Sequence, residues 1–220
     1  MRYANRLEAG RRLGEILREL GFGAGSAPSI VLGVPRGGVV VAAAVAEVLG
    51  LPLEVAVAGK VGAPGNPELA IGAVAEGGTV LYDEALVRKL KVSRGYLEEE
   101  TARLKEKIAV MAQELRNGTA PCLAGRETVL VDDGVATGLT IEAMARDIVG
   151  QGALNVCLAV PVGPAETIER LRRVADLVVC PLIPAVFEAV GSFYADFRQV
   201  ETAQVQAILA RGVAGGRESG

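Results

Sequence analysis

Histidine and tryptophan are absent from this chain of 220 residues, and aromatic residues make up only 4% of it. Without histidine there is no imidazole base, no histidine metal ligand and no Ser-His triad. Cysteine occurs three times, at Cys122, Cys157 and Cys180, with no Cys-x-x-Cys spacing. Such a scattered, odd set indicates free thiols in a reducing compartment, so we expect a cytoplasmic protein without a disulfide framework or a zinc site.

Strong net charge and long apolar runs are missing as well. The formal net charge is −3, which argues against a dedicated nucleic-acid binder. No apolar run is long and uncharged enough to span a bilayer, and the N-terminus does not have the shape of a signal peptide, so we expect no membrane contact. Hydrophobic residues make up 50% of the chain, and its length suits one domain over residues 1–220.

Strand-like and helix-like stretches alternate along the chain. The helix predicted over 5–20 is amphipathic, with Leu7 and Leu20 on its apolar side, and Gly150 is expected to cap a later helix. The alternation predicts an α/β fold with a doubly wound, mostly parallel sheet flanked by helices. The predicted strands of this sheet are 29–34, 53–58, 128–131, 155–162 and 176–180, and the predicted helices are 5–20, 39–49, 141–150, 164–174 and 201–211.

The most informative stretch is 128–140, which runs from an apolar strand through Asp132 and Asp133 into a small-residue turn and a helix. Backbone N–H groups at a helix N-terminus make a phosphate site, and Thr137 and Thr140 add two hydroxyls. Two carboxylates would repel a phosphate, so we expect them to face sugar hydroxyls or Mg²⁺. A sugar phosphate would satisfy both the phosphate site and the two carboxylates. Neither a Walker A loop nor a Gly-x-Gly-x-x-Gly motif is present.

The run 129–140 resembles the signature for 5-phosphoribosyl-1-pyrophosphate (PRPP) in type I phosphoribosyltransferases: four apolar or small residues, two acids, two small or apolar residues, then small-Thr-Gly-x-Thr. Gly134 departs slightly, since an apolar residue is commoner there. The resemblance implies that Asp132 and Asp133 hold the ribose, directly or through Mg²⁺, and that the turn fixes the 5-phosphate. The turn residues assigned in this way are Val135, Ala136, Thr137, Gly138, Leu139 and Thr140.

A second strand–turn–helix unit has Pro35-Arg36-Gly37-Gly38 at its turn. Glycine allows a ligand to approach the backbone closely, and Arg36 offers a planar set of donors for phosphate. This loop is similar to the one that holds pyrophosphate in type I phosphoribosyltransferases, often through a non-proline cis peptide. Lys60 comes just past the predicted strand 53–58, at the carboxyl end where ligands of parallel sheets bind, so we expect it to face the same pyrophosphate.

Three further segments fit the same family. Residues 70–75 and 79–82 are predicted to pair as a hairpin, and in the family a mobile loop and hairpin at this place close over the site. Residues 83–117 form a helical insertion, with helices over 83–91 and 96–117. We expect it to pack on the core or on a second copy of the chain, which would make a homo-oligomer. Residues 181–199 collect most of the aromatic side chains and resemble the C-terminal hood that holds the nitrogenous acceptor.

The resemblance implies a Mg²⁺-dependent transfer of the phosphoribosyl group from PRPP to a small nitrogenous acceptor, with release of pyrophosphate. Arg36, Lys60, Asp132 and Asp133 would be the catalytic residues. Two alternatives remain open: a regulator that binds PRPP or a nucleotide in the same pocket without turnover, and a sugar-phosphate or nucleotide hydrolase, which lacks an obvious water-activating cluster here. Enzymes for 6-oxopurines commonly have Asp where this chain has Ala136, and alanine cannot accept a proton.

Overall fold

The computed structural model describes residues 2–25, 27–116 and 120–214. Its centre is a five-stranded sheet with the strand order β2-β1-β6-β7-β8, in which all neighbouring strands run parallel, so the predicted parallel sheet is confirmed. In chain order the elements are α1 (Arg6–Glu19), β1 (Ser29–Gly33), α2 (Gly37–Leu49), β2 (Leu53–Val55), β3 (Ala58–Ala63), β4 (Asn66–Ala75), β5 (Val80–Tyr82), α3 (Glu84–Lys89), α4 (Arg94–Leu115), β6 (Glu127–Val131), α5 (Leu139–Gly150), β7 (Asn155–Ala159), α6 (Ala165–Leu171), β8 (Leu177–Val179), a 3₁₀ turn (Val190–Phe193) and α7 (Thr202–Ala214).

Helices cover both faces of the parallel sheet. Successive strand residues point to opposite faces, so Val129 and Val131 of β6 pack toward α1, α2 and α7, whereas Leu130 packs toward α5 and α6. All three side chains are completely buried. A strand buried on both faces has no polar side to alternate with, which explains why β6 reads as a continuous apolar run.

A second, antiparallel sheet consists of β3, β4 and β5. The pairing of β4 with β5 confirms the predicted hairpin. The prediction of a single strand over 53–58 is wrong, because the chain leaves the parallel sheet after Val55 and starts β3 at Ala58. Lys60 therefore lies within β3, opposite Ala73, and not just past a parallel strand. Apart from Glu54 the residues 53–58 are all apolar, and such a stretch does not reveal where the chain changes sheets, because the strands on both sides of the change bury apolar residues.

The helical insertion contains α3 and α4. The side chains of Asp83 and Ser93 cap these helices by accepting the N–H groups of Leu86 and Tyr96. The long helix α4 packs on β3, β4 and α7, so the insertion rests on the core of its own chain, which was one of the two expectations. Position 117, the last residue of the predicted insertion, lies outside the described residues.

The ends of several elements differ from the predictions. Leu7 and Leu20 are 46% and 55% exposed, so their place on the buried side of α1 was wrong. Gly150 is the last residue of α5, and Gln151 caps the helix in its place. The strand predicted over 155–162 ends at Ala159. No helix in the described part of the chain combines the length and the apolarity that crossing a membrane requires.

Candidate active site

Two loops meet at the carboxyl edge of the parallel sheet. Strands β1 and β6 are neighbours, with Gly33 opposite Val131, and the N–H of Val34 donates to the carbonyl oxygen of Val131 at 2.9 Å. The loop 35–38 after β1 therefore lies beside the loop 132–138 after β6. Ligands of open α/β sheets bind at this edge. The structure thus brings together the two loops that the sequence singles out.

The glycine pair of the first loop lies against the acid pair of the second. A Cβ atom on Gly37 would lie 2.0 Å from Oδ2 of Asp133, and one on Gly38 would lie 2.7 Å from Oδ1 of Asp132. Any side chain at either position would displace a carboxylate. The glycines therefore have a structural role that the sequence did not reveal, which is to let the two loops pack together. The peptide bond between Pro35 and Arg36 is cis, as the resemblance to the pyrophosphate loop predicts.

The turn 136–140 presents a row of backbone donors at the start of α5. No acceptor within the described residues takes the N–H groups of these five positions, or the hydroxyls of Thr137 and Thr140. Gly138 caps the helix with φ of 73°, a left-handed conformation that glycine adopts without strain. Unpaired N–H groups and the positive end of the helix dipole together favour an anion. The geometry of this turn therefore suits a phosphate.

Helix α6 supports the back of this turn. The hydroxyl of Thr167 donates to the carbonyl oxygen of Ala136 at 2.6 Å, and the guanidinium of Arg170 donates to the carbonyl oxygen of Thr137. A Cβ on Gly138 would lie 2.7 Å from Cγ2 of Thr167. Because the carbonyl groups are held from behind, the N–H groups of the turn point away from α6. Neither Thr167 nor Arg170 belongs to the signature motif, and only the tertiary structure shows their role.

Asp132 and Asp133 have unequal surroundings. Oδ1 of Asp132 accepts the N–H of Asp133 at 2.8 Å, and its Oδ2 has no hydrogen-bond partner among the described residues. Burial raises the pKa of Asp132 well above the ordinary value of 3.8, and the charge of Asp133 raises it further. Burial also raises the pKa of Asp133, but a hydrogen bond from Arg6 opposes the shift. Asp132 is therefore the carboxylate that a cation or a hydroxyl donor would stabilise more.

The two predicted cations reach the site from different elements. Arg36 precedes α2, is exposed, and forms no ion pair within the described residues. Lys60 is exposed on β3 and likewise has no carboxylate partner in the described part of the chain. Its charge lowers the pKa of Asp132, which indicates that it lies on the acid side of the site. The antiparallel sheet thus supplies a cation to the loops of the parallel sheet.

Comparison with known proteins agrees with this arrangement. The family model of the phosphoribosyl transferase domain matches residues 3–198. The chain belongs to the phosphoribosyltransferase family. Over 210 residues it is 40% identical to two Mycobacterium tuberculosis proteins, from strains CDC 1551 and H37Rv, each named "Putative phosphoribosyl transferase". The alignments cover 95% of this chain but 46% of each relative, so the chain spans about half the length of these curated relatives.

A solved structure matches this chain over nearly its whole length. The crystal structure of TT1426 from Thermus thermophilus is 43% identical in sequence, with a TM-score of 0.80. The match covers 96% of this chain and 99% of that chain. The resemblance inferred from the motif 129–140 is therefore confirmed at the level of the family and of the fold.

The predicted hood, residues 181–199, packs against the loop that contains Asp133 and Gly134. A Cβ on Gly134 would lie 2.5 Å from Cγ1 of Val190, and the hydroxyl of Tyr194 donates to the carbonyl oxygen of Asp133 at 2.5 Å. The rings of Phe187 and Phe193 stack with their centroids 5.5 Å apart, whereas Tyr194 is completely buried. The aromatic residues are thus divided between core packing and a half-buried pair beside the site.

A metal ion at this site would need ligands besides protein side chains. Within residues 2–25, 27–116 and 120–214, no three Asp, Glu or Cys side chains lie close enough together to hold a metal by themselves. Asp132 nevertheless fits Mg²⁺ as a single protein ligand, since its Oδ2 has no hydrogen-bond partner within the described residues and its raised pKa reflects a partly buried charge without an ion-pair partner there. A substrate with phosphate or hydroxyl oxygens would complete the coordination.

Proposed function

We propose that this phosphoribosyltransferase binds PRPP together with Mg²⁺ and transfers the 5-phosphoribosyl group to a nitrogenous acceptor, with release of pyrophosphate. The observation that carries the proposal is the turn 136–140, whose five backbone N–H groups have no acceptor among the described residues and lie at the start of a helix, a few positions after two carboxylates. Few ligands need an anion site and a hydroxyl-binding site side by side. A phosphorylated ribose is such a ligand.

In this mechanism the protein positions the reactants and stabilises charge, and no covalent intermediate on the protein is required. The turn 136–140 holds the 5-phosphate. Asp132 accepts hydrogen bonds from the ribose hydroxyls, close to where positive charge develops when the bond from C1 to pyrophosphate breaks. Arg36 and Lys60 neutralise the departing pyrophosphate. When bound, Mg²⁺ would add positive charge to the pyrophosphate oxygens, with Asp132 as its protein ligand.

The acceptor belongs to the same proposal. Ala136 has no proton-accepting side chain, and its carbonyl oxygen is already bonded to Thr167. The strand β7, with the residues that follow it up to Pro161, contains no lysine that could bind a purine oxygen. We therefore expect hypoxanthine and guanine to be poorer acceptors than adenine, uracil or orotate. A screen of PRPP-dependent pyrophosphate release at saturating Mg²⁺ compares these five acceptors. Faster release with hypoxanthine or guanine than with adenine, uracil and orotate would contradict this expectation.

PRPP binding tests the phosphate turn directly. Thr137→Ala removes one hydroxyl, and Gly138→Val places a branched side chain at a left-handed φ and against Thr167. Loss of a hydrogen bond to a charged phosphate costs about 1.5–3 kcal/mol, which corresponds to a roughly 10- to 150-fold weaker Kd. Isothermal titration with PRPP and Mg²⁺ measures the change.

Two matched substitutions serve as controls for this titration. Gly95→Val lies in α4, where a Cβ meets no atom within 4 Å, and Thr202→Ala lies at the start of α7. Both should keep wild-type affinity. If Thr137→Ala and Gly138→Val are folded and bind PRPP as tightly as the controls, the turn is not the phosphate site.

A further inference from the structure

Arg6 lies where three parts of the site meet. Its Nε donates to Oδ2 of Asp133 at 2.7 Å, and the side chains of the pair are only 11% and 16% exposed. A Cβ on Gly37, in the loop after β1, would lie 2.7 Å from the same Nε atom. The ion pair is therefore enclosed between the acid loop and the glycine loop. A partly buried pair of this kind is screened less by solvent than a surface pair.

The other side of Arg6 is held by the hood. Its guanidinium carbon lies 3.8 Å from the centroid of the Phe197 ring, and Nη1 donates to the carbonyl oxygen of Arg198 at 2.9 Å. An arginine over an aromatic face gains from the cation–π attraction, which fixes the plane of the guanidinium. Arg6 thus connects Asp133 to two consecutive residues of the hood.

The chain just before Arg6 is paired with the hood through its backbone. The N–H of Tyr3 donates to the carbonyl oxygen of Phe193, the N–H of Ala195 donates to that of Tyr3, and the N–H of Asp196 donates to that of Ala4. These bonds are 2.8, 2.8 and 2.9 Å long. The N-terminal segment and the hood therefore form one unit, although more than 180 residues separate them in sequence. Arg6 and the hydroxyl of Tyr194 are the groups through which this unit reaches Asp133.

The acid pair is consequently asymmetric. Among the described residues each acid has one oxygen with a hydrogen-bond partner, but the partner of Asp133 is the cation Arg6, whereas Asp132 accepts only a backbone N–H and has no ion pair. A metal ion or hydroxyl that took over Oδ2 of Asp133 would have to displace Arg6. The enclosure of Arg6 by Phe197, Gly37 and the carbonyl oxygen of Arg198 opposes such a displacement.

We propose that Arg6 is a positioning residue: paired with Asp133, it fastens the N-terminal helix and the hood to the two loops of the site and leaves Asp132 as the carboxylate that contacts the ligand. The identity of the ligand as PRPP rests on the proposed function. The division of roles between the two acids rests on contacts within the chain. Arg6 acts through Asp133, so replacing either partner should have the same consequence.

A double-mutant cycle tests this coupling. Arg6→Ala and Asp133→Asn should each weaken PRPP binding about tenfold, and the double variant should bind within about twofold of either single variant, because all three lack the same pair. Asp132→Asn should weaken binding more, and its effect should multiply with that of Arg6→Ala. Arg6→Lys, which keeps the charge, should restore part of the affinity. Arg11→Ala removes an exposed cation from the same helix and should bind as the wild type does.

A second measurement does not depend on PRPP. In Arg6→Ala and in Asp133→Asn, the N–H groups of Tyr3, Ala195 and Asp196 should exchange with solvent faster than in the wild type or in Arg11→Ala. If the wild type binds no PRPP, the proposed function is wrong, yet exchange still tests the fastening by Arg6. Unchanged exchange in both variants, or effects of Arg6→Ala and Asp133→Asn on PRPP binding that simply multiply, would overturn the inference.

Discussion

Arg36 and Lys60 can be replaced without removing an ion pair from the described part of the chain, so their roles can be tested directly. Both are exposed, and neither has an acidic partner in the described part of the chain, so neither charge is needed to hold the fold together. Under the proposed function, a cation without an acidic partner gains one when the pyrophosphate of the ligand binds.

At the residue scale we therefore predict a ligand-dependent effect. Arg36→Ala and Lys60→Ala should each lower PRPP affinity about tenfold or more, as expected when a charge-assisted contact is lost. Affinity for ribose 5-phosphate should stay near that of the wild type, because this ligand has no pyrophosphate. Competition titrations of the two ligands measure the difference, with Lys107→Ala as an exposed control on α4. Equal losses for both ligands would show that the two cations do not face the pyrophosphate.

At the scale of elements, α5 connects the phosphate turn to the antiparallel sheet. Its N-terminus carries the row of free N–H groups, and its later half presents the buried side chain of Asp147. Asp147 accepts the N–H groups of Gly77 and Thr79 at 3.0 and 3.2 Å, and the side-chain amide of Gln151 at 2.8 Å. A Cβ on Gly77 would lie 2.4 Å from Asp147, so only glycine lets the β4–β5 turn come this close.

We predict that Asp147→Ala loosens the antiparallel sheet. It removes the acceptor of the N–H groups of Gly77 and Thr79, which are exposed and half-buried, and each hydrogen bond to a charged group contributes about 1.5–3 kcal/mol, with water replacing part of it. The free energy of unfolding should fall accordingly, and hydrogen exchange at these two positions should accelerate first. Because β3 pairs with β4, the position of Lys60 should also become less fixed, with a weaker affinity for PRPP. The surface variant Glu106→Ala serves as the control, and protection at Gly77 and Thr79 equal to that of the control would refute the role of Asp147.

At the scale of the whole molecule, the site is built at a cost to stability. Folding raises the pKa of Asp132, which means that the folded chain holds this proton more tightly than the unfolded chain does. The contribution of Asp132 to stability is therefore present in full below its unfolded pKa, near 3.8, and is lost as the pH rises through the folded pKa. At any pH at which Asp132 is ionised, its partly buried charge destabilises the fold.

Asp132→Asn should consequently raise the thermal midpoint at pH 7 while it impairs PRPP binding. Each kcal/mol that is relieved should raise Tm by about 2–4 °C in a domain of this size, and the gain should shrink as the pH approaches the unfolded pKa. Thermal unfolding across pH measures this. Asp133→Asn is the matched control: it also removes an acid whose pKa is raised, but it leaves Arg6 without its partner, so it should stabilise the protein less than Asp132→Asn does. An Asp132→Asn variant that is less stable than the wild type at pH 7 would contradict the prediction.

The succession of strand, turn and helix from β6 to α5 was predictable from the sequence, whereas the phosphate-binding role of the turn 136–140 stays a prediction. These features are local: the apolar run, the small-residue turn and the amphipathic helix follow one another within about two dozen positions, and each depends on its own side chains and backbone. The parallel sheet was predictable for a similar reason, since alternating strands and helices leave few other arrangements.

Only the tertiary structure decided which distant residues complete the site. Arg6 meets Asp133 across 127 positions, and Thr167 supports Ala136 from another helix. Lys60 influences Asp132 from a separate sheet whose start the sequence pattern of 53–58 does not show. The glycine pair 37–38 was recognised, but its closeness to the two carboxylates depends on the register of β1 against β6. Such contacts depend on how the elements pack, because their free energy arises only when separate layers close around a shared buried surface.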